Sequence, residues 1–115
     1  MLFFASDDLA PDAQHRSNPE AFVYESNRAF EPIQLLATLE NLAEEYGPDI
    51  LRYKGVLYVV GENQRAILQG AHAVIGLGFG RRWAVDETPA TTMVFIGRDL
   101  PQSAFRQGLA ACLAP

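Results

Sequence analysis

Ile50-Leu51-Arg52-Tyr53-Lys54-Gly55-Val56-Leu57-Tyr58-Val59-Val60, then Gly61-Glu62-Asn63, then Arg65 to Ala73, is the stretch on which the fold turns. The first run is rich in β-branched and aromatic side chains, as strands are, and Gly55 within it marks an expected bulge or bend. Gly61-Glu62-Asn63 has the composition of a chain reversal. A parallel return would need a crossover of a dozen or more residues, so the two runs are expected to pair antiparallel.

Working outward from this hairpin, the preceding segment reads as a helix. Phe30-Glu31-Pro32 opens it, because proline at a first helical position has the right φ and lacks only a donor that would be unpaired there. Leu35, Leu39, Leu42 and Tyr46 recur at helical spacing, widened by Leu36 and Ala43, while Glu40, Asn41, Glu44 and Glu45 take the other face. Gly47-Pro48 should end the helix near Tyr46, with the glycine in a left-handed cap. Before it, Ala21-Phe22-Val23-Tyr24 forms a first strand starting near Glu20, with Phe22 and Tyr24 on one face. Ser6 to Pro19 holds two prolines, three aspartates and few large apolar groups, and is read as a linker or tail.

Downstream, Val74-Ile75 continues the return strand or begins another. Gly76-Leu77-Gly78-Phe79-Gly80 is expected to interrupt regular structure, and Asp86 to Ala90 to form an exposed loop. Thr91 to Gly97 is the last strand. Pro101 starts a second helix, with Phe105, Leu109 and Cys112 on its apolar face beside Leu113. The order β-α-β-β-(β)-β-α gives an α+β fold: a two-layer sandwich whose antiparallel sheet of about four to five strands carries two helices on one face. Residues 1–19 are the tail and 20–115 the folded domain. The sheet's second face is left to solvent or a partner, and the apolar run Val56 to Val60 favours a cover.

Composition limits the function. The 115 residues are 49% hydrophobic and 20% charged, which fits one globular domain and excludes disorder of the whole chain. Nine Lys plus Arg against fourteen Asp plus Glu give a charge of -5, the wrong sign for a general nucleic-acid or anionic-membrane surface. No apolar run is long enough for a membrane helix, and Ser6-Asp7-Asp8 follows Met1 to Ala5 too soon for a secretory signal. The single cysteine, Cys112, forms no intrachain disulfide, which fits a reducing, cytoplasmic setting.

Catalytic chemistry is not evident. Gly76-x-Gly78-x-Gly80 departs from the dinucleotide spacing and precedes no clear helix, and no Walker phosphate loop is present. His15 in the tail and His72 in a strand make no constellation with a nucleophile. Cys112, on an apolar stripe, is expected to be buried and inert. Asp7, Asp8, Asp12 and His15 are the weak metal candidates, although an acidic tail has the same composition without a site. Arg81, Arg82 and Trp83 read either as a partner contact anchored by the indole or as a buried tryptophan between exposed arginines.

Several stretches in order resemble the CobW C-terminal domain: Phe22 to Pro32; Leu51-Arg52-Tyr53-Lys54-Gly55-Val56-Leu57; Gln69-Gly70-Ala71-His72; Gly80-Arg81-Arg82-Trp83; and Val94-Phe95-Ile96-Gly97-Arg98-Asp99-Leu100. The resemblance covers about Glu20 to Ala114 and rests on the series of motifs, not on any single one. In that family the domain follows a P-loop GTPase domain, and the whole protein is implicated in delivering zinc, cobalt or a related metal, with cobalamin synthesis as the namesake process. This chain lacks the GTPase half's Walker loop, guanine-specificity motif and C-x-C-C metal motif. The family linker is often histidine-rich, whereas the corresponding stretch here has only His15.

The resemblance implies a non-catalytic accessory domain that docks to a CobW-type GTPase domain, in cis or in trans, or to a client metalloprotein. GTP and zinc or cobalt are then expected only for a full-length protein, and no cofactor for this chain. The expected partner rim on the open sheet face is Arg52, Lys54, Arg81, Arg82 and Trp83. A free-standing protein- or ligand-binding module, self-associating through its sheet face, is the alternative.

Overall fold

The computed structural model describes residues 18–115. Seven main elements follow in order: β1 (Glu20–Ser26), α1 (Pro32–Tyr46), β2 (Ile50–Leu57), β3 (Gln64–Ala71), β4 (Val74–Arg82), β5 (Thr91–Gly97) and α2 (Gln102–Ala110). The five strands form one sheet in the order β1-β5-β2-β3-β4, with every neighbouring pair antiparallel. This is the expected α+β sandwich, with β1 and β4 at the sheet edges. Residues 1–17 of the expected tail, with its candidates Asp7, Asp8, Asp12 and His15, lie outside the described residues.

Strand alternation builds the core. Register sets Phe22 against Phe95 and Phe95 against Tyr53, and on the next rung Tyr24 against Met93, so these side chains face the helices together. Leu57 and Ala66 continue that face, and Leu35, Leu39 and Leu42 of α1 close over it with Phe105 and Leu109 of α2. The Phe105 ring meets Phe95 edge-on at 5.1 Å and Phe22 at 5.5 Å, the T-shaped geometry favoured by ring quadrupoles. At the start of α1 the Glu31 carboxylate accepts from the amides of Ile33 and Gln34, satisfying donors that have no partner within the helix.

Three local expectations are corrected. Gly47 takes a right-handed conformation and leads into a 3-10 turn, Gly47–Asp49; a Cβ there would lie 3.3 Å from the Ala73 amide nitrogen, so close approach replaces the left-handed cap. The β2 bulge falls between Ile50 and Arg52, whereas Gly55 pairs regularly with Leu68 and Met93. β2 also stops at Leu57, short of Val60. Tyr58 donates its amide to the Thr91 hydroxyl, and Val59 bridges in parallel to the wholly buried Phe30. Phe30 exchanges backbone hydrogen bonds of 2.9 Å with Tyr58 and Val60, stitching the chain before α1 to the end of β2.

The fourth correction concerns the glycine-rich run. Gly76 to Gly80 is no loop but the body of β4, paired with β3 from Val74 against Ala71 to Phe79 against Ala66. A tight hairpin feeds it, in which His72 takes a positive φ of 54° and donates its amide to Ile50. The Tyr53 hydroxyl donates to the Val74 carbonyl at 2.5 Å, tying the first residue of β4 to the sheet interior.

Candidate functional site

The helix-free face of the sheet lies opposite the helix-covered core and carries no helix layer among the described residues. Its side chains follow from register. One row runs Val23, Val94, Lys54, Gln69, Gly76; the next runs Glu25, Thr92, Val56, Ile67, Gly78. Val23 is exposed, while Val94, Val56 and Ile67 are half-buried, so an aliphatic band crosses four strands with Lys54, Gln69, Thr92 and Glu25 among it. The alternating glycines of β4 fall on this face and leave it bare at that edge, while Leu77 and Phe79 fall on the helix side.

The five expected rim residues do not form one rim. Arg52 and Lys54 are exposed on β2. Arg81, Arg82 and Trp83 lie beyond Phe79, which pairs with Ala66 and through it stands level with Leu57. Five residues along a strand separate that level from Arg52, about 17 Å at the usual rise. The open face is therefore bracketed by two cationic groups at opposite ends.

At the second end the structure assembles a cluster. The buried Arg65 guanidinium stacks on Trp83, pairs with the Glu87 carboxylate and donates to the Arg82 carbonyl at 3.2 Å. Glu87 also accepts from the Ala84 amide at 2.9 Å and faces Arg81 at 3.6 Å. The Ala84 amide above all holds the Glu87 carboxyl below its ordinary pKa; burial opposes it, and the Arg65 and Arg81 guanidinium groups add to the lowering. Tyr58 meets the Trp83 ring edge-on at 6.1 Å, and the indole Nε1 is buried without a hydrogen-bond partner. Trp83 is thus neither deep core nor a free anchor: it is half-buried and packed against Arg65 and Tyr58.

Arg65 and Glu87 were not singled out from sequence, and Glu87 had been expected in a solvated loop. Neither has a local signal, since the pair joins a strand to a connection twenty-two residues away. A buried arginine becomes a legible clue only once a carboxylate is known to face it.

The described residues do not fit a resident metal or nucleotide. No group of three or more His, Cys, Asp or Glu among them is arranged to hold an ion. Cys112 is 2% exposed, with its sulfur 2.9 Å from the Thr38 hydroxyl and donating to the Gly108 carbonyl, so it joins α1 to the end of α2. His72 reaches only the Gly47 carbonyl, at 3.3 Å. The glycines of β4 lie in a sheet ladder, where their amides cannot converge on a phosphate as they do in a loop at a helix N-terminus. No helix among the described residues is long and apolar enough to cross a membrane.

The fold and the site define a two-layer α+β sandwich with one sheet face closed by two helices and an aliphatic band on the other. The chain is a member of the family of the cobalamin synthesis protein cobW C-terminal domain, whose model matches residues 20–113. It is 34% identical over 98 residues to the zinc chaperone YjiA of Escherichia coli, an alignment covering 85% of this chain and 30% of that protein. It is 37% identical over 84 residues to the zinc chaperone CobW of Pseudomonas aeruginosa, covering 73% and 22%. The crystal structure of Zn(II)-bound YjiA GTPase from E. coli superposes with a TM-score of 0.80 at 31% identity, over 96% of this chain and 34% of that one. The chain thus spans about a third or less of the length of these relatives.

Proposed function

We propose that this chain is the non-catalytic accessory domain of a CobW-type GTPase system for zinc or cobalt delivery in the cytoplasm, and that it docks through its helix-free sheet face to the GTPase domain. The observation that carries the reading is the aliphatic band Val23, Val94, Val56 and Ile67, left without a covering layer in a domain whose other face is closed by two helices. The GTPase domain is the favoured occupant because the relatives are about three times as long as this chain, and the structural relative carrying the same fold, YjiA, is a GTPase. Arg52 and Lys54 flank the band on β2 and set orientation, while the aliphatic groups supply the buried area. Catalysis and the metal both reside outside this domain in this reading, with the client metalloprotein taking the ion from the GTPase half.

The test is calorimetric titration of the chain against a CobW-type GTPase half, with Val94→Arg as the discriminating variant. The expected result is saturable binding that Val94→Arg weakens about a hundredfold while the melting transition stays cooperative. Undiminished binding of that variant would move the docking surface elsewhere. Saturable GTP binding by the chain alone would overturn the non-catalytic reading.

A further inference from the structure

We infer that β4 is a self-association edge, on which a second copy of this chain pairs antiparallel about a two-fold axis near Leu77. The observations are independent of the helix-free face, because they lie on the outer edge of the sheet and on its helix side.

Among the described residues β4 ends the sheet, with only β3 beside it. Natural edge strands are blunted by charge, proline, shortness or bulges. From Val74 to Gly80 this one has no charged residue and no proline, and its bulge comes only past Phe79, where Gln64 pairs with Arg82. Six residues, Val74 to Phe79, therefore present an unbroken ladder. Leu77 is 44% exposed and Phe79 61%, and with Leu35, Leu36, Leu57 and Ala66 they line an apolar groove of about 160 Å³ under the start of α1. α1 packs against Ile75 at the start of β4 but leaves Leu77 and Phe79 exposed on the helix side.

The edge is self-complementary in shape and in charge. With the axis at Leu77, Ile75 of one copy stands opposite Phe79 of the other and Leu77 opposite Leu77, so these three apolar side chains of each strand meet on the helix side. α1 runs antiparallel to β4: its first turn lies beside Leu77 and Phe79, and its Glu40 and Glu44 lie beside Ala73 and Ile75. The exposed Arg81 and Arg82 sit at the opposite end of the strand. Antiparallel pairing sets the arginines of each copy against the glutamates of the other, twice. A parallel arrangement would set arginine beside arginine. Closed two-fold contacts of this kind join the sheets of two copies into one of ten strands without leaving either β4 edge open.

Sedimentation equilibrium of the chain over about 1 to 100 µM, a range suited to modest interfaces, tests the inference. The expected result is a reversible dimer that Phe79→Glu weakens by about tenfold or more. Arg82→Glu and Glu44→Arg, both on exposed side chains, should each weaken it severalfold, and the double variant should return it close to the original affinity. A monomer throughout this range overturns the proposal, as does a dimer indifferent to Phe79→Glu. Failure of the double reversal to restore affinity overturns the antiparallel geometry. Because none of these residues lies in the aliphatic band, GTPase docking and self-association fail separately: a dimer broken by Val94→Arg and not by Phe79→Glu places self-association on the helix-free face and overturns the edge.

Discussion

The guanidinium carbon of Arg65 stands 4.5 Å from the centroid of the Trp83 ring, while the same guanidinium pairs with Glu87. Trp83 therefore packs against both a buried cation and the Tyr58 ring, and its contribution is first to stability. Trp83→Ala is expected to lower unfolding free energy by about 2 kcal/mol through lost ring burial and the lost cation contact. Arg82→Glu, whose side chain is exposed, should change it by less than about 0.5 kcal/mol. Chemical denaturation of the two single variants separates these effects; equal loss from both would remove this packing as the explanation.

Glu87 gives that cluster a pH dependence. Its folded pKa lies below the ordinary 4.5, chiefly through the Ala84 amide and then Arg65. A carboxylate with a lowered folded pKa contributes stability that is present above the unfolded value and lost as pH falls through the folded one. Wild type should therefore exceed Glu87→Gln in stability at pH 7, and the gap should narrow below about pH 4.5 as the carboxylate takes up its proton. Urea unfolding at neutral pH and at pH 3 measures it. A gap that is constant with pH would mean that Glu87 acts through shape alone.

How much of this was legible beforehand depends on the range of the interaction concerned. α1 begins at Pro32 and ends at Tyr46 as its leucine spacing and Gly47-Pro48 require, and β5 spans Thr91 to Gly97 as its composition requires. These are signals carried within each segment. The placement of β5 between β1 and β2 is carried by no local pattern, because three separate segments share its ladder. The expectation that Gly76 to Gly80 interrupts β4 fails for a related reason. Gly76, Gly78 and Gly80 read as breakers one by one, yet at a spacing of two they empty a single face of a strand that β3 holds in place. The same limit split the expected rim, since Arg52 and Arg81 are both exposed cations near glycines and only the register shows how far apart they are. Arg65 and Glu87 belong to this long-range class as well.

Cys112 offers a probe of whether the two helices open together. Its sulfur contacts Thr38 of α1 and the Gly108 carbonyl of α2, so a reagent reaches it only when the helix layer separates. Modification by a disulfide reagent in native buffer should be slower than in denaturant by at least about a hundredfold, and should rise steeply with low denaturant as opening becomes global. Rapid labelling of the native protein would show that the end of α2 frays independently of the core.

Gly70 and Gly78 sit on adjacent edge-side strands and should respond oppositely to the same methyl group. Gly70 lies directly across from Tyr53, and a Cβ there would come within 2.6 Å of the Tyr53 ring carbon and hydroxyl whose bond to Val74 anchors β4. Moving that ring would lose the 2.5 Å bond and leave a half-buried carbonyl short of its donor. Gly78 is in β4 itself, has no positive φ, and a Cβ on it meets nothing within 4 Å. Gly70→Ala should therefore cost about 2 kcal/mol or more by overpacking. Gly78→Ala should stay within about 0.5 kcal/mol of wild type, because alanine restricts the unfolded chain and meets no obstacle in the strand. Parallel thermal and urea denaturation of the two variants checks this. A large loss at Gly78 would mean that the run from Gly76 to Gly80 needs glycine for a bent or left-handed backbone, as a loop would, and that β4 does not form a regular ladder there.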